Sequence, residues 1–171
     1  GDTRIRQDSR STGQAPRLAW RHGREEAPAK TDTGAFTEEE RAAMKEHAAE
    51  VRRSKKSTPE QDAQAVLDKI AAMDPEDRAL AERVHRIVTE TAPELAPKLW
   101  YGMPAYYLRG KNIVFFQDAK KFKARYSTLG FEHHAQLDEG TMWPTAYALT
   151  NDLTEADERR IAELVKRAVG S

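Results

Sequence analysis

Apolar residues recur every three to four positions in four segments of the chain, which is the spacing of one helix face. Each segment opens with a polar residue that can cap a helix. The predicted helices cover Glu38–Lys55 after Thr37, the residues after Thr58, the segment from Asp74 to about Thr91, and the residues after Thr154. The first has a thin apolar stripe of Ala43, Met44, Ala48 and Val51. The second, third and last carry fuller stripes, comprising Ala63, Val66, Leu67, Ile70 and Met73; Leu80, Val84, Ile87 and Val88; and Ile161, Leu164, Val165 and Ala168.

Between the third and last helices the pattern changes to aromatic and β-branched runs, which are typical of strands. The predicted strands are Ala105–Leu108, Asn112–Gln117, Lys121–Ser127 and Trp143–Leu149. Arg109-Gly110-Lys111 predicts a tight hairpin between the first two, and Gly130–Gly140 is predicted as a polar connection. Short connections favour antiparallel pairing. The sequence therefore predicts an α+β fold, a small antiparallel sheet packed against N-terminal and C-terminal helices.

The first 35 residues show neither a helical nor a strand period, and their large apolar residues are only Ile5, Leu18 and Trp20. Such a segment buries too little apolar surface to offset its ordering entropy. Residues 1–35 are therefore predicted to be a disordered polar tail, with a basic arm that touches a partner as the alternative. A flanking helix at residues 36–57 and an α+β domain at residues 58–171 complete the predicted organisation.

The amino-acid composition excludes several classes of function. The 171 residues include 28 basic and 28 acidic ones, so the net charge is zero and binding of nucleic acid through global charge is not expected. The chain has no cysteine, which excludes disulfides, thiolate metal sites and cysteine nucleophiles. Its longest apolar run, Ile113–Phe116, is far shorter than the roughly 20 residues of a membrane helix. A cytoplasmic protein that does not bind membranes is the expectation.

The charge is unevenly distributed. Lys98–Tyr126 contains seven basic residues and one acidic residue, a local balance of +6. One interpretation is that acidic residues of the helices complement the basic strand faces, or that the charges simply solvate the surface. The other is that a basic face receives an anion. Specific nucleic-acid recognition has little support, because no motif accompanies the charge.

An aromatic string, Trp100–Tyr107, holds four aromatic residues within eight positions. One interpretation is a core plug between helix and sheet. The other is the wall of an apolar pocket with Lys98, Arg109 or Arg125 at its rim, since ligand pockets are mostly apolar with a few polar anchors. Under the second interpretation the predicted ligand-binding residues are Trp100, Tyr101, Met103, Pro104, Tyr106, Arg125 and Trp143. The ligand would be a small molecule, anionic if the basic rim contributes, or a protein partner.

A metal site is a further candidate, at Glu132, His134 and Asp138, whose oxygen and nitrogen donors suit a hard or borderline divalent ion. No recognised metal-ligand spacing accompanies them. The other acidic clusters lie in first helical turns, where the helix dipole favours negative charge. No serine–histidine–aspartate set and no glycine-rich phosphate loop is evident. An enzyme acting through a histidine or glutamate in the aromatic pocket therefore stays a minor alternative.

An ordered series of short motifs resembles the YdhG-like domain family, a group of bacterial domains of unknown function. The series covers roughly Met73–Val169, and Tyr101-Gly102-Met103-Pro104-Ala105 is its most specific element. The other motifs are Ala92-Pro93-Glu94, Gly110-Lys111, Ile113–Phe116, Gly140-Thr141 and Ile161–Val169. The chain departs from the family pattern at Arg125–Phe131, where many members have a Tyr-Pro pair.

The resemblance implies a compact α+β domain and supplies no catalytic residue. Some members are regarded as frataxin-like intracellular iron chaperones. The leading hypothesis is a non-enzymatic cytosolic binding domain without a cofactor. The alternative that the resemblance suggests is an iron-binding chaperone that uses helix carboxylates with His85 or His134.

Overall fold

A computed structural model describes residues 35–170 of the chain and confirms the α+β fold. The helices are α1 Glu38–Ser54, α2 Pro59–Ala71, α3 Pro75–Thr91 and α4 Glu155–Ala168. The strands are β1 Ala96–Trp100, β2 Met103–Leu108, β3 Lys111–Gln117, β4 Ser127–Phe131 and β5 Ala146–Leu149. They form one antiparallel sheet in the order β1-β2-β3-β4-β5. The prediction for the polar tail lies, apart from Ala35, outside the described residues.

Capping boxes begin three of the helices, as the sequence predicts. The side chains of Thr37, Thr58 and Thr154 each accept a hydrogen bond from the backbone N–H three residues later. Asp74 makes no such bond, and α3 instead begins with Pro75, whose fixed φ suits a first helical position. None of the helices between residues 35 and 170 is both long enough and apolar enough to cross a membrane.

The main core lies on the sheet face that is covered by α2, α3 and α4. All the predicted inward residues of α3 and α4 are buried there, which confirms their helical stripes. They pack against Tyr106, Phe116 and Leu129 of the sheet. In α2 only Val66 and Ile70 are buried, and Leu67, predicted to point inward, is 44% exposed.

The opposite sheet face is covered by α1, which packs with a largely polar surface. Its buried residues are Glu40, Ala43, His47 and Glu50, spaced three and four apart on one side of the helix. Beneath them lies a smaller core that includes Trp100, Tyr101, Met103, Ala105, Tyr107 and Phe115. The predicted apolar stripe of α1 is therefore wrong in part, because Val51 is 42% exposed and Ala48 is also exposed.

One predicted strand does not form, and one observed strand is missing from the prediction. Lys121–Ser127 alternates like a strand, but residues 119–126 form turns in which Ala124 donates to the Ala119 carbonyl and Lys123 has a φ of 53°. The fourth strand is Ser127–Phe131 and so begins where the predicted one ended. The first strand, Ala96–Trp100, is absent from the prediction; it contains Pro97, which is tolerated there because β1 is an edge strand.

Candidate functional site

The predicted aromatic pocket does not form as a single site. Trp100 and Met103 are paired across the β1–β2 hairpin and face α1, whereas Tyr106 lies in the main core on the other face. A two-residue turn sets Trp100 opposite Met103, so Tyr106, three residues beyond Met103, points to the opposite side. The expected convergence of Trp100 and Tyr106 is therefore wrong.

Among the remaining predicted ligand-binding residues, Tyr101 packs with Trp100 in the smaller core, whereas Arg125 and Trp143 lie elsewhere. Tyr101 and Pro104 are buried, Arg125 is exposed in the turn before β4, and Trp143 is half-buried against the main core. Arg125 lies over the ring of Tyr126, with 5.1 Å between the guanidinium carbon and the ring centroid. The core-plug interpretation of the aromatic string fits these positions better than the pocket wall.

The predicted metal triad does not assemble either. Glu132 is buried, His134 is half-buried and Asp138 is exposed. Within the part of the chain that the structure describes, no group of three His, Asp or Glu side chains is arranged to hold a metal ion. The ring of His134 instead lies 4.0 Å from that of His133, between centroids.

The histidine of α3 serves the core. His85 Nδ1 lies 2.9 Å from the hydroxyl of Tyr106, which is almost fully buried. Burial lowers the pKa of His85 and raises that of Tyr106, so both groups are neutral near pH 7. Because both groups can donate or accept in their neutral forms, this one hydrogen bond gives each of them a partner.

Helix acids neutralise much of the basic segment Lys98–Tyr126. Lys121 lies 3.0 Å from Glu46, and Lys123 lies 2.8 Å from Glu39, both on α1. Lys120 is 4.0 Å from Asp74, which precedes α3. The side chains of the failed strand are thus turned toward carboxylates, and the interpretation of charge neutralisation holds for these three lysines.

A cleft of about 600 Å3 opens beside the outer edge of β1, between the end of α1 and the start of α2; we call it the basic cleft. Its charged lining consists of four basic side chains and two acidic ones, Arg52, Arg53, Lys56, Lys98, Glu50 and Asp62. Its apolar lining comes mainly from Ala49, Ala65 and Leu99. The cleft thus combines an excess of positive charge with an apolar surface.

Both acidic groups of the basic cleft already have partners. Glu50 accepts hydrogen bonds from the backbone N–H groups of Tyr101 at 2.9 Å and Gly102 at 2.6 Å. Asp62 accepts one from the Ser57 hydroxyl at 2.8 Å. The basic side chains of the cleft have fewer partners among the described residues than the acidic ones. Arg52, Arg53 and Lys56 form no ion pair with an acidic side chain within residues 35–170.

Lys98 has a defined position in the basic cleft. It is half-buried, and its Nζ lies 5.4 Å from the centroid of the Tyr107 ring. A cation near a ring face gains electrostatic attraction from the ring, so Tyr107 holds the ammonium without neutralising it. Lys98 therefore presents a positive charge on the strand side of the cleft, opposite the basic groups of α1.

The wall formed by α1 is attached to the sheet through the Tyr101–Gly102 turn. Both residues have positive φ, 52° and 73°, as a type I′ hairpin turn requires. This conformation is costly for a bulky residue such as tyrosine. Two contacts from α1 hold it: the Glu50 carboxylate binds the turn amides, and the His47 ring stacks on the Tyr101 ring with 3.9 Å between centroids.

The sequence contains one signal for the basic cleft that periodicity does not expose. Arg52-Arg53-Ser54-Lys55-Lys56 ends α1 immediately before the capping box of α2. Basic residues are common in the last turn of a helix, where the helix dipole favours positive charge. The run is therefore not a specific sign of a binding site. Only the packing of β1 beside it brings Lys98 to the same cleft.

Comparison with known proteins yields no relative. No protein-family model, no curated protein and no solved structure matches the chain. The resemblance to the YdhG-like family stays a prediction, and the function rests on the geometry of the described residues.

Proposed function

We propose that this chain is a non-enzymatic binding domain whose site is the basic cleft, and that the cleft takes a small organic anion. The single observation that carries the proposal is the charge balance of the lining. Four basic groups face two carboxylates, and both carboxylates are occupied by partners within the protein. The basic groups thus retain capacity for an external anion.

The chemistry of the lining favours a carboxylate or phosphate on an apolar body. A guanidinium group binds such oxyanions with two parallel hydrogen bonds, and Arg52 and Arg53 supply two of these groups. Lys98 adds a point charge from the opposite wall. Ala49, Ala65 and Leu99 give the apolar part of a ligand a surface to cover. The volume, about 600 Å3, is ordinary for a small-molecule site.

The proposal contains no catalytic step. The lining includes the hydrogen-bonded pair Ser57–Asp62, but a serine nucleophile needs a neighbouring base such as histidine to take its proton. No histidine lines the basic cleft among the described residues. A cytosolic location, compatible with the lack of cysteine in the sequence, belongs to the same proposal.

Calorimetric titration with phenyl phosphate, beside benzyl alcohol as the uncharged probe, tests the function. We expect saturable binding of phenyl phosphate alone, weakened as salt concentration rises. Lys98→Gln and Arg53→Gln should each weaken it by about tenfold, the loss expected for a charge-assisted hydrogen bond. Arg159→Gln removes an equal charge from the exposed side of α4 and is the control. Equal affinity in all variants, or no binding, would overturn the proposal.

A further inference from the structure

A second, smaller cleft lies close to the Tyr101–Gly102 turn, where Glu46 and Lys121 of its lining approach Gly102. It has a volume of about 320 Å3 and is framed by α1, α2, the start of α3 and the turns after β3. Its charged lining consists of four acidic and three basic side chains, Glu46, Asp74, Asp77, Asp118, Lys69, Lys120 and Lys121. We call it the Asp118 cleft.

The lysines of the Asp118 cleft are already paired. Lys69 and Lys121 both donate to Oε2 of Glu46, at 3.3 Å and 3.0 Å. Lys121 also donates to the carbonyl of Gly102 at 3.3 Å, and Lys120 lies 4.0 Å from Asp74. These lysines therefore bind Glu46, Asp74 and the hairpin turn. The two other carboxylates of the lining, Asp77 and Asp118, form none of these ion pairs.

Those two carboxylates, Asp77 and Asp118, are both buried. Asp77 is 5% exposed and accepts a hydrogen bond from the backbone N–H of Lys120 at 2.9 Å. Asp118 is 6% exposed, and its Oδ1 has no hydrogen-bond partner among the described residues. A buried carboxyl oxygen without a donor is costly, and few occur in native proteins. The cleft therefore lacks a hydrogen-bond donor at Asp118.

We propose that the Asp118 cleft is a second binding site and that it takes a small organic cation with a primary ammonium group. An ammonium group carries three N–H donors and one positive charge, so it can serve Asp118 and Asp77 together. The volume lies at the lower end of ligand pockets and suits a ligand of few atoms. Ala72 and Met73 provide an apolar surface for a short alkyl chain.

A divalent metal ion suits the cleft less well than an ammonium group. Hard divalent ions take six or more oxygen ligands or several carboxylates, and the described residues contain no group of three acidic or histidine side chains arranged for one. The ammonium groups of Lys69 and Lys121 add repulsion that grows with the charge of the ion. A singly charged ammonium group needs fewer ligands and is repelled less.

Ligand binding at this site should depend on pH. Burial raises the pKa of Asp118 to about 6; Asp77 adds to this rise, whereas a backbone hydrogen bond and the positive charges of Lys121 and Lys69 oppose it. The charged groups that face it are Glu46, Lys69, Asp74, Asp77, Lys120 and Lys121. Asp118 is thus largely ionised above neutral pH and protonated in mild acid. An ammonium ligand should therefore bind more tightly above neutral pH than in mild acid.

Titration of the full chain with butylammonium chloride, followed by the backbone amide resonances of Asp118, Ala119 and Lys120, tests the proposal. Sodium chloride keeps the ionic strength constant. We expect saturable shifts at about pH 8 and markedly weaker binding at about pH 5. Asp118→Asn and Asp77→Asn should weaken binding by about tenfold or more, as expected when a charge-assisted hydrogen bond is lost. Asp152→Asn, an exposed acid outside the cleft, should leave it unchanged.

Three results would overturn the proposal: no saturable shift, equal affinity in Asp118→Asn, or tighter saturable binding of calcium chloride at the same amides. The last would assign the cleft to a metal ion. If Asp118→Asn does not fold, two other tests decide whether the cleft binds an ammonium group. Its affinity for butylammonium must fall in Asp77→Asn, and it must fall in the natural chain between about pH 8 and about pH 5.

Discussion

The carboxylate of Glu50 accepts a 2.6 Å hydrogen bond from the backbone N–H of Gly102, 52 residues further along the chain. Its second oxygen accepts from Tyr101 at 2.9 Å. One buried side chain of α1 thereby satisfies both central amides of a hairpin turn in the sheet. Because α1 also provides Arg52 and Arg53, this contact fixes the position of one wall of the basic cleft.

Replacement of Glu50 should therefore destabilise the fold. Glu50→Ala leaves two buried N–H groups without an acceptor, and each costs about 1–3 kcal/mol when it stays unsatisfied. Glu50→Gln keeps one acceptor oxygen, so its free energy of unfolding should fall by less than that of Glu50→Ala. Urea denaturation measures both losses, with Glu163→Ala on the exposed side of α4 as the control. A free energy of unfolding equal to that of the natural chain in Glu50→Ala would show that the turn does not depend on α1.

Gly130 of β4 should not tolerate a side chain. It is paired with Phe115 of β3, and a Cβ at position 130 would overlap the Phe115 ring. Overpacking of this kind costs about 1–3 kcal/mol. Gly130→Ala should lower the denaturation midpoint, and adding Phe115→Leu should restore part of the loss because the smaller side chain makes room. Failure of the second change to restore any stability would contradict this packing.

The two tryptophans of the predicted pocket should respond differently to truncation. Trp100 is 4% exposed and touches Tyr101 and Phe115, so Trp100→Ala should cost about 3–5 kcal/mol, the usual value for a buried tryptophan. Trp143 is half-buried, and Trp143→Ala should cost less than about half of that. Denaturant melts compare them. Equal losses would show that Trp143 belongs to the core as fully as Trp100.

Ionisation of Asp118 should lower stability as pH rises. Its pKa is about 6 in the folded chain, above the ordinary 3.8, so the folded state binds more protons than the unfolded state between these values. The free energy of unfolding should therefore fall as pH increases from about 4 to about 6, by roughly 3 kcal/mol from this group alone.

Asp118→Asn isolates that contribution. Other carboxyls, such as that of Glu158, whose hydrogen bonds from Arg83 and Arg86 lower its pKa, act in the opposite direction and are present in both proteins. The difference in stability between Asp118→Asn and the natural chain should thus grow in favour of the variant up to about pH 6 and then level off. A difference independent of pH would show that Asp118 titrates normally.

The helices and the central hairpin were predictable because their signals are local. Threonine caps, first-turn acids and apolar stripes depend on residues at most a few positions apart, and the Arg109–Gly110 turn has the positive φ values that its position requires. The strand prediction for Lys121–Ser127 is wrong because the alternation of basic and apolar residues there has another cause. Lys121 and Lys123 form ion pairs with Glu46 and Glu39 of α1.

The candidate sites were less predictable because they depend on which faces meet. The packed side of α1 contains Glu40, His47 and Glu50, and no apolar period marks such a surface. The sequence suggests Lys98 only as a rim residue of the aromatic pocket. In the basic cleft its neighbours are Arg52 and Arg53, which lie more than 40 positions away and join it only through the packing of α1 and α2 beside β1. Asp118 became notable only through its burial.

Amide chemical-shift mapping during titration with phenyl phosphate shows whether the basic cleft holds an organic anion. We expect saturable shifts concentrated at Arg53, Lys56, Ser57, Lys98 and Leu99, which come from the end of α1, its connection to α2, and β1, and which together line this cleft. These shifts should be much smaller in Lys98→Gln at a ligand concentration near the Kd of the natural chain, because the variant should bind about tenfold more weakly. Shifts that are spread over all basic surfaces and do not saturate, or that persist unchanged in Lys98→Gln, would contradict the account.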